Sequence, residues 1–242
     1  MIPHISIRPE PIFAFHRFIV TNSVLATAVV SVLFILLALY YKIQSTKPKA
    51  NRSLFFYTVN KLLTEVYTLF HSVTEDKITI LFPLLGAFFL FILMENWFGL
   101  LPGVGSILVG ETPLLRGGAA DLNMTLALGV IAVIMVQYYG FKYLGFGGYL
   151  SKFFNFSNPI NFFIGILEIV SEVSRTFSFS FRLFGNIIAG EILLVIIASL
   201  IPVFASFPFL VMEIFVGLIQ AVVFSTLAAI FIKMAVTSHS QH

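Results

Sequence analysis

The chain has 242 residues, 59% of them apolar and only 10% charged, against about 25% charged in an ordinary soluble domain. That balance, with a mean hydropathy of +1.01, excludes a soluble globular protein and points to an integral membrane protein. The absence of cysteine excludes disulfides, iron–sulfur ligation and thiol catalysis. The formal charge of +3 gives no reason to expect a nucleic-acid partner, and the basic residues read instead as topology markers.

The first apolar run, 18–41, is longer than the roughly 7–15 apolar residues of a secretory signal and has no small-residue cleavage site after it. It is expected to be a retained membrane span. Residues 53–76 differ: Phe55, Val59, Leu62, Val66, Leu69 and Val73 share one helical stripe, away from Asn60, Lys61, Thr64, Glu65, Thr68 and Glu75. This predicts an amphipathic helix lying on the cytoplasmic membrane surface or packed against a soluble partner. Further spans are expected at 78–101 and 122–141, each near the roughly 20 residues that cross a bilayer. GFGG at 145–148 reads as a glycine-rich turn.

The apolar segment 160–200 is too long for one ordinary span. At about 1.5 Å per residue it would reach about 60 Å, twice the hydrocarbon thickness. It is either steeply tilted or broken near Gly185 and Gly190. The last span, 208–236, follows a short turn between Pro202 and Pro208, so the two helices form a hairpin. The predicted fold is an all-α integral membrane protein in a single membrane domain, 1–242. It has five to six membrane helices, a long tilted C-terminal hairpin and one surface helix.

Short-loop charges orient the chain. Lys42, Lys47, Lys49, Arg52, Lys61, Lys77, Lys142, Lys152 and Lys233 fall on one side, and Arg8, Arg17 and Arg116 on the other. The N-terminus is expected outside and the C-terminus in the cytoplasm.

Within 160–200, Glu168, Glu172, Arg175, Phe179, Arg182 and Asn186 recur at spacings of three and four, with Ser171 and Ser178 beside them. Such residues share one helical face. Ionisable groups inside a membrane usually face a bundle interior or a water cavity and mark ion paths. Glu168, Glu172 and Arg175 also fit a structural ion-pair cluster near the cytoplasmic interface. Arg182 is different. Its nearest acids in sequence are Glu191 and Glu172, and a central arginine costs about 3 to more than 10 kcal/mol. Arginine does not lose its proton at physiological pH. It is a fixed cation, able to hold a nearby carboxylate ionised and to block direct proton passage.

In the last span, Glu213 and Gln220 share a face with Gly217 between them. A turn near residue 205 brings Glu191 and Glu213 to similar depth if the helices tilt unequally or break. Either the two carboxyl groups face each other, or one meets solvent at the interface.

RLFGNIIAGE at 182–191, Leu167, Glu168 and Ser171 in IGILEIVSE, Gln220 in LIQAVVF, NWFGLLPG at 96–103 and ADLNMTLALG at 120–129 together resemble subunit a of the Fo sector of F-type ATP synthases. The likeness covers nearly the whole chain. It implies a stator subunit beside a rotating ring of c subunits, with the b-subunit stator stalk and the remaining Fo and F1 sectors as partners and lipid around it. It implies no cofactor, no metal and no covalent catalysis on this chain. Consistent with this, the sequence holds no phosphate-binding loop, HExxH or Gly-x-Ser-x-Gly elbow. By resemblance, Arg182 stands between two half-channels. Glu191, Glu213, Asn186, Gln220 and Asp121 line the outer one, and Glu168, Ser171 and Glu172 the cytoplasmic one. Family members often carry a histidine and a carboxylate at the positions of Glu191 and Glu213, whereas this chain has glutamate at both. The coupling ion expected by default is the proton, with sodium open, and the expected location is a bacterial plasma membrane, with an organelle inner membrane open. A self-contained secondary ion transporter and a structural scaffold are the alternative functions.

Overall fold

A computed structural model describes residues 8–15, 18–75, 78–105, 107–110, 112–151, 153, 158–201 and 206–237. Among them are six α-helices: α1 (Asn22–Thr46), α2 (Leu54–Thr74), α3 (Ile78–Phe98), α4 (Leu122–Leu150), α5 (Pro159–Leu200) and α6 (Ser206–Val236). All but α2 are long and apolar enough to cross a membrane. The fold is that of an all-α integral membrane protein, as the composition predicts.

The predicted start at residue 18 is displaced. The stretch PIFAF, β1 (Pro11–Phe15), pairs antiparallel with FIVT, β2 (Phe18–Thr21). These residue types favour strands, and Pro11 takes the first position, where a missing N–H does least harm. Helix α1 therefore begins only at Asn22. The Thr21 hydroxyl accepts from the Val24 N–H at 3.4 Å, and the Asn22 amide oxygen accepts from the N–H groups of Glu10 and Ser23. A second small hairpin, β3 (Leu108–Val109) with β4 (Thr112–Pro113), lies in the loop before α4.

Helix α2 is capped by Ser53, whose hydroxyl accepts from the Phe56 N–H at 3.2 Å. Of the predicted apolar stripe, Val66 is buried, while Phe55, Leu62 and Leu69 are exposed. The face turned inward is rotated: Val66 and Phe70 join the core shared with α3 and α6, and Phe56 stacks on Tyr41 of α1 at 4.9 Å. An apolar flank thus faces away from the chain.

Helix α4 outruns its predicted end at 141. It continues to a break at Gly145, whose φ of +74° is a left-handed value that glycine adopts without penalty. Beyond it Tyr149 folds back onto Gly140, in space that any Cβ would fill, and donates to the Gln137 side-chain oxygen at 2.8 Å. Helix α5 is one unbroken helix of 42 residues, about 63 Å long. Of the two readings of this segment, the single long helix is correct: Gly185 and Gly190 both lie inside it. Residues 202–205 of the predicted turn lie outside the described residues, as do Arg17, Lys77 and Lys152.

In lipid the hydrophobic effect does not drive one helix onto another, so close backbone approach and side-chain interlock must. Gly129 of α4 sits where a Cβ would meet the Ser180 hydroxyl and the Thr176 carbonyl of α5. Ala221, Ala228, Ala229 and Ala235 line the buried side of α6. Phe179 of α5 meets Phe224 and Phe231 of α6, with ring centroids at 4.7 and 5.6 Å, and Phe224 meets Phe88 of α3 at 5.6 Å. Each aromatic pair contributes about 0.5–1.5 kcal/mol beyond its buried area. Near residue 217, Asn96 Nδ2 donates to the Gly217 carbonyl at 2.9 Å and Trp97 Nε1 to the Ile214 carbonyl at 3.0 Å. These bonds fix the end of α3 against α6.

Candidate functional site

Helix α5 carries the polar residues, and its two halves meet different surroundings. In the first half Glu172 and Phe179 are buried against the bundle. Arg175 donates to Glu172 at 2.8 Å, lies 3.5 Å from Glu168, and places its guanidinium 4.6 Å from the centre of the Phe231 ring. The predicted ion-pair cluster is therefore present. One of its members, Glu172, is 7% exposed. A desolvated pair of this kind is strongly destabilised when one partner is removed.

Arg182 is two turns further along and faces outward. Its Nη2 approaches the Ser178 hydroxyl at 3.3 Å, and among the described residues it forms no ion pair. Asn186, one turn on, is also exposed. Around them Phe177 and Phe181 are half exposed. Among the described residues this flank of α5 is covered by no other helix.

Two cavities lie along α5. One, of about 370 Å³, is bounded by Ser171, Ser174, Arg175, Ser178 and Arg182 of α5 and by Leu227 and Phe231 of α6. The other, of about 630 Å³, takes in Ile187, Glu191 and Val195 of α5, Glu213 of α6, Glu95 and Asn96 of α3, and Arg116 of the α3–α4 loop. The first ends at Arg182 and the second begins at Ile187, five residues or about 7.5 Å further along the axis.

The sequence-predicted residues divide between these places. Ser171 borders the first cavity, with Glu168 and Glu172 behind it through Arg175. Glu191 and Glu213 both border the second. The Glu213 carboxyl lies against Gly190, in the volume a Cβ there would occupy. Glu191 is held by Arg116, which donates to its Oε2 from Nη2 at 3.1 Å and from Nε at 3.3 Å. Asp121 caps α4 by accepting from the Asn123 N–H at 2.9 Å and also accepts from the Ser23 hydroxyl at 2.6 Å. It adjoins the second cavity through its neighbour Ala120. Asn186 and Gln220 border neither cavity.

Four polar residues of the second cavity, Glu10, Asn22, Glu95 and Arg116, escape a motif-based reading. Arg116 counts in the sequence only as a loop charge. Glu95 immediately precedes NWFGLLPG and is 1% exposed. The signal for it was an acid inside the apolar run 78–101, a kind of residue that is rare in membrane spans and usually functional.

The amino-acid sequence has relatives among known proteins. Residues 15–233 match the ATP synthase A chain family. Relatives include ATP synthase subunit a of Gloeobacter violaceus, 38% identical over 161 residues that cover 66% of this chain and 62% of that protein. ATP synthase subunit a 2 of a Bradyrhizobium species is 38% identical over 156 residues, 64% of this chain and 63% of the relative. The chloroplastic ATP synthase subunit a of Bigelowiella natans is 36% identical over 158 residues, 65% and 62% respectively. The matched region spans less than two thirds of the length of each of these relatives. A family match over nearly the whole chain, on five membrane-length helices with a polar site along the longest, means that this protein belongs to the ATP synthase A chain family.

Proposed function

We propose that this chain is the stator channel subunit of an Fo sector, in which two offset half-channels and Arg182 couple proton movement to rotation of a c-subunit ring and so to ATP synthesis. The observation that carries this reading is the pair of cavities separated along α5 at Arg182, on a helix flank that none of the described residues covers. A guanidinium left without a counter-ion on an apolar helix needs a carboxylate from outside the chain. A c-ring carboxylate, passing on the uncovered flank of α5, supplies one.

The energies are of matching size. An arginine–carboxylate pair about 4 Å apart gains about 4 kcal/mol at an effective dielectric of about 20. Moving one charge through about 100 mV supplies about 2.3 kcal/mol. Arg182 can thus hold a ring carboxylate ionised without locking the ring. Protons enter through the outer half-channel, where Glu191 and Glu213 exchange them beside Asp121, and Asn186 and Gln220, which border neither cavity, carry them on toward the ring. They leave through the cytoplasmic half-channel beside Ser171, Glu168 and Glu172. The chain sits in a bacterial plasma membrane with its N-terminus outside, next to the c-ring, the b-subunit stalk and the other Fo and F1 components.

The test is Arg182→Ala in the assembled synthase in membrane vesicles. Proton-driven ATP synthesis is abolished while the complex still assembles. Retention of synthesis by this variant overturns the reading.

A further inference from the structure

We propose that Glu95 is a third proton-exchanging carboxyl group of the outer half-channel, passing protons between the cavity and Glu213. The proposal rests on the channel reading above and extends it to a residue outside the motifs that carry the family resemblance.

Three observations converge on Glu95. It borders the 630 Å³ cavity together with Glu191 and Glu213. It is 1% exposed, and among the described residues its carboxyl group meets only neutral donors, the Thr27 hydroxyl and the Gly118 backbone. The three groups lie together: a Cβ on Gly118 would meet both the Thr27 hydroxyl of α1 and Glu95 Oε2. Finally, the bonds of Asn96 and Trp97 to the carbonyls of Gly217 and Ile214 hold the Glu95 end of α3 level with the Glu213 turn of α6. Glu213 in turn rests on Gly190, beside Glu191. Carboxyl groups from α3, α5 and α6 thus ring one cavity at one level.

Their surroundings separate their roles. Glu191 is tied to the fixed cation Arg116. Glu95 and Glu213 have no ion pair among the described residues. A buried acid held by neutral groups alone is costly to keep, and ionisable groups that persist inside membranes mark ion paths. The charged or titratable groups around Glu95 are Glu10 of the N-terminal segment, Arg116 and Asp121 of the α3–α4 loop, Glu191 of α5 and Glu213 of α6. In each passage the Glu95 carboxylate takes a proton from the cavity and releases it toward the Glu213 carboxylate, directly or through water. Glu95 is then ionised again and nothing is consumed.

The experiment compares wild type with Glu95→Gln and Glu95→Asp in the complete synthase. In vesicles stripped of F1, passive proton conductance is recorded per assembled complex against outer pH. Glu95→Gln lowers conductance by about a hundredfold or more, the scale of losing one positioned proton-transfer group. Glu95→Asp keeps most of the conductance with a displaced pH profile. Wild-type conductance and profile in Glu95→Gln overturn the proposal, as does a loss that merely follows the amount of assembled complex. If Glu95→Gln fails to assemble, Glu95→Asp decides: an unchanged pH profile overturns the proposal. Arg182→Ala is run alongside for ATP synthesis. If it stays coupled, the channel reading itself fails, whereas loss of coupling there with a silent Glu95→Gln sinks only the inference about Glu95.

Discussion

Arg116 grips Glu191 with two nitrogens on a single carboxyl oxygen, at 3.1 and 3.3 Å, and with its third donates to the Arg8 carbonyl at 3.2 Å. One side chain thereby joins the N-terminal segment, the α3–α4 loop and the long helix at the wall of the larger cavity. The guanidinium is nearly buried, while the Glu191 side chain is 40% exposed. Solvent screening keeps the pair modest, at about 1 kcal/mol.

The first prediction concerns this contact. Arg116→Gln slows proton conductance, because Glu191 loses the cation that positions it. Adding Glu191→Gln to that background does less further harm than Glu191→Gln does alone. A double-mutant cycle on conductance rates should give a coupling of about 1 kcal/mol, roughly a fivefold non-additivity. Strict additivity would show that the two residues act independently.

Gly190→Ala is a second probe. The added methyl takes the space now held by the Glu213 carboxyl. That carboxyl is the free end of a flexible side chain, and alanine favours helix over glycine by about 1 kcal/mol. The variant should therefore assemble with at least wild-type thermal stability and lose proton conductance. A variant that assembles and conducts normally contradicts the assigned position of Glu213.

Arg175 and Arg182 share a helix and should behave in opposite ways. Arg175→Ala takes from the buried Glu172 carboxylate its 2.8 Å ion pair, and breaking a buried pair costs about 3–5 kcal/mol, so the yield and melting temperature of the complex fall. Arg182→Ala removes a side chain bound to nothing stronger than a hydroxyl, so stability is kept while coupling is lost. Thermal melts of the two purified variants, beside their ATP synthesis rates, make the comparison.

The last prediction is a pH effect at the far end of the bundle. Lys233 of α6 donates to Glu75 at 2.8 Å. That hydrogen bond, with the lysine charge, lowers the Glu75 pKa from its usual 4.5. A carboxyl group with a depressed folded value stabilises above its unfolded value and loses that contribution as pH falls through the folded one. The contact ties the end of α2 to α6 at neutral pH and releases it below about 4.5. Hydrogen exchange in the last turn of α6 should accelerate over that acidic window in wild type, and should be insensitive to it in Lys233→Gln. Equal profiles for the two proteins would remove the claim.

Much of this architecture was legible from the sequence. The long apolar runs alone locate all five spans, because the bilayer demands an uninterrupted apolar length. The unbroken character of 160–200 was not legible, since glycines at 185 and 190 permit a break without requiring one. The strands before α1 were hidden for a related reason: a short apolar run of aromatic and branched residues suits either state. The split of the polar stripe has a different origin. Glu168 and Asn186 are 18 residues apart, about five full turns, so periodicity places them on one azimuth. It cannot tell which neighbours that azimuth meets, and α4 and α6 cover it near Glu172 but leave it open at Arg182. Glu95 was passed over because the quoted motif begins one residue after it.

The continuity of α5 carries a consequence for how the chain tolerates change. Both cavities take their walls from the same rod, so their angular phase is set by residue count between Arg182 and Ile187. One residue inserted there would swing everything beyond it by about 100°, turning Glu191 from its chamber toward lipid while every individual side chain survived. Point changes along this segment can be absorbed, but a shift in count cannot.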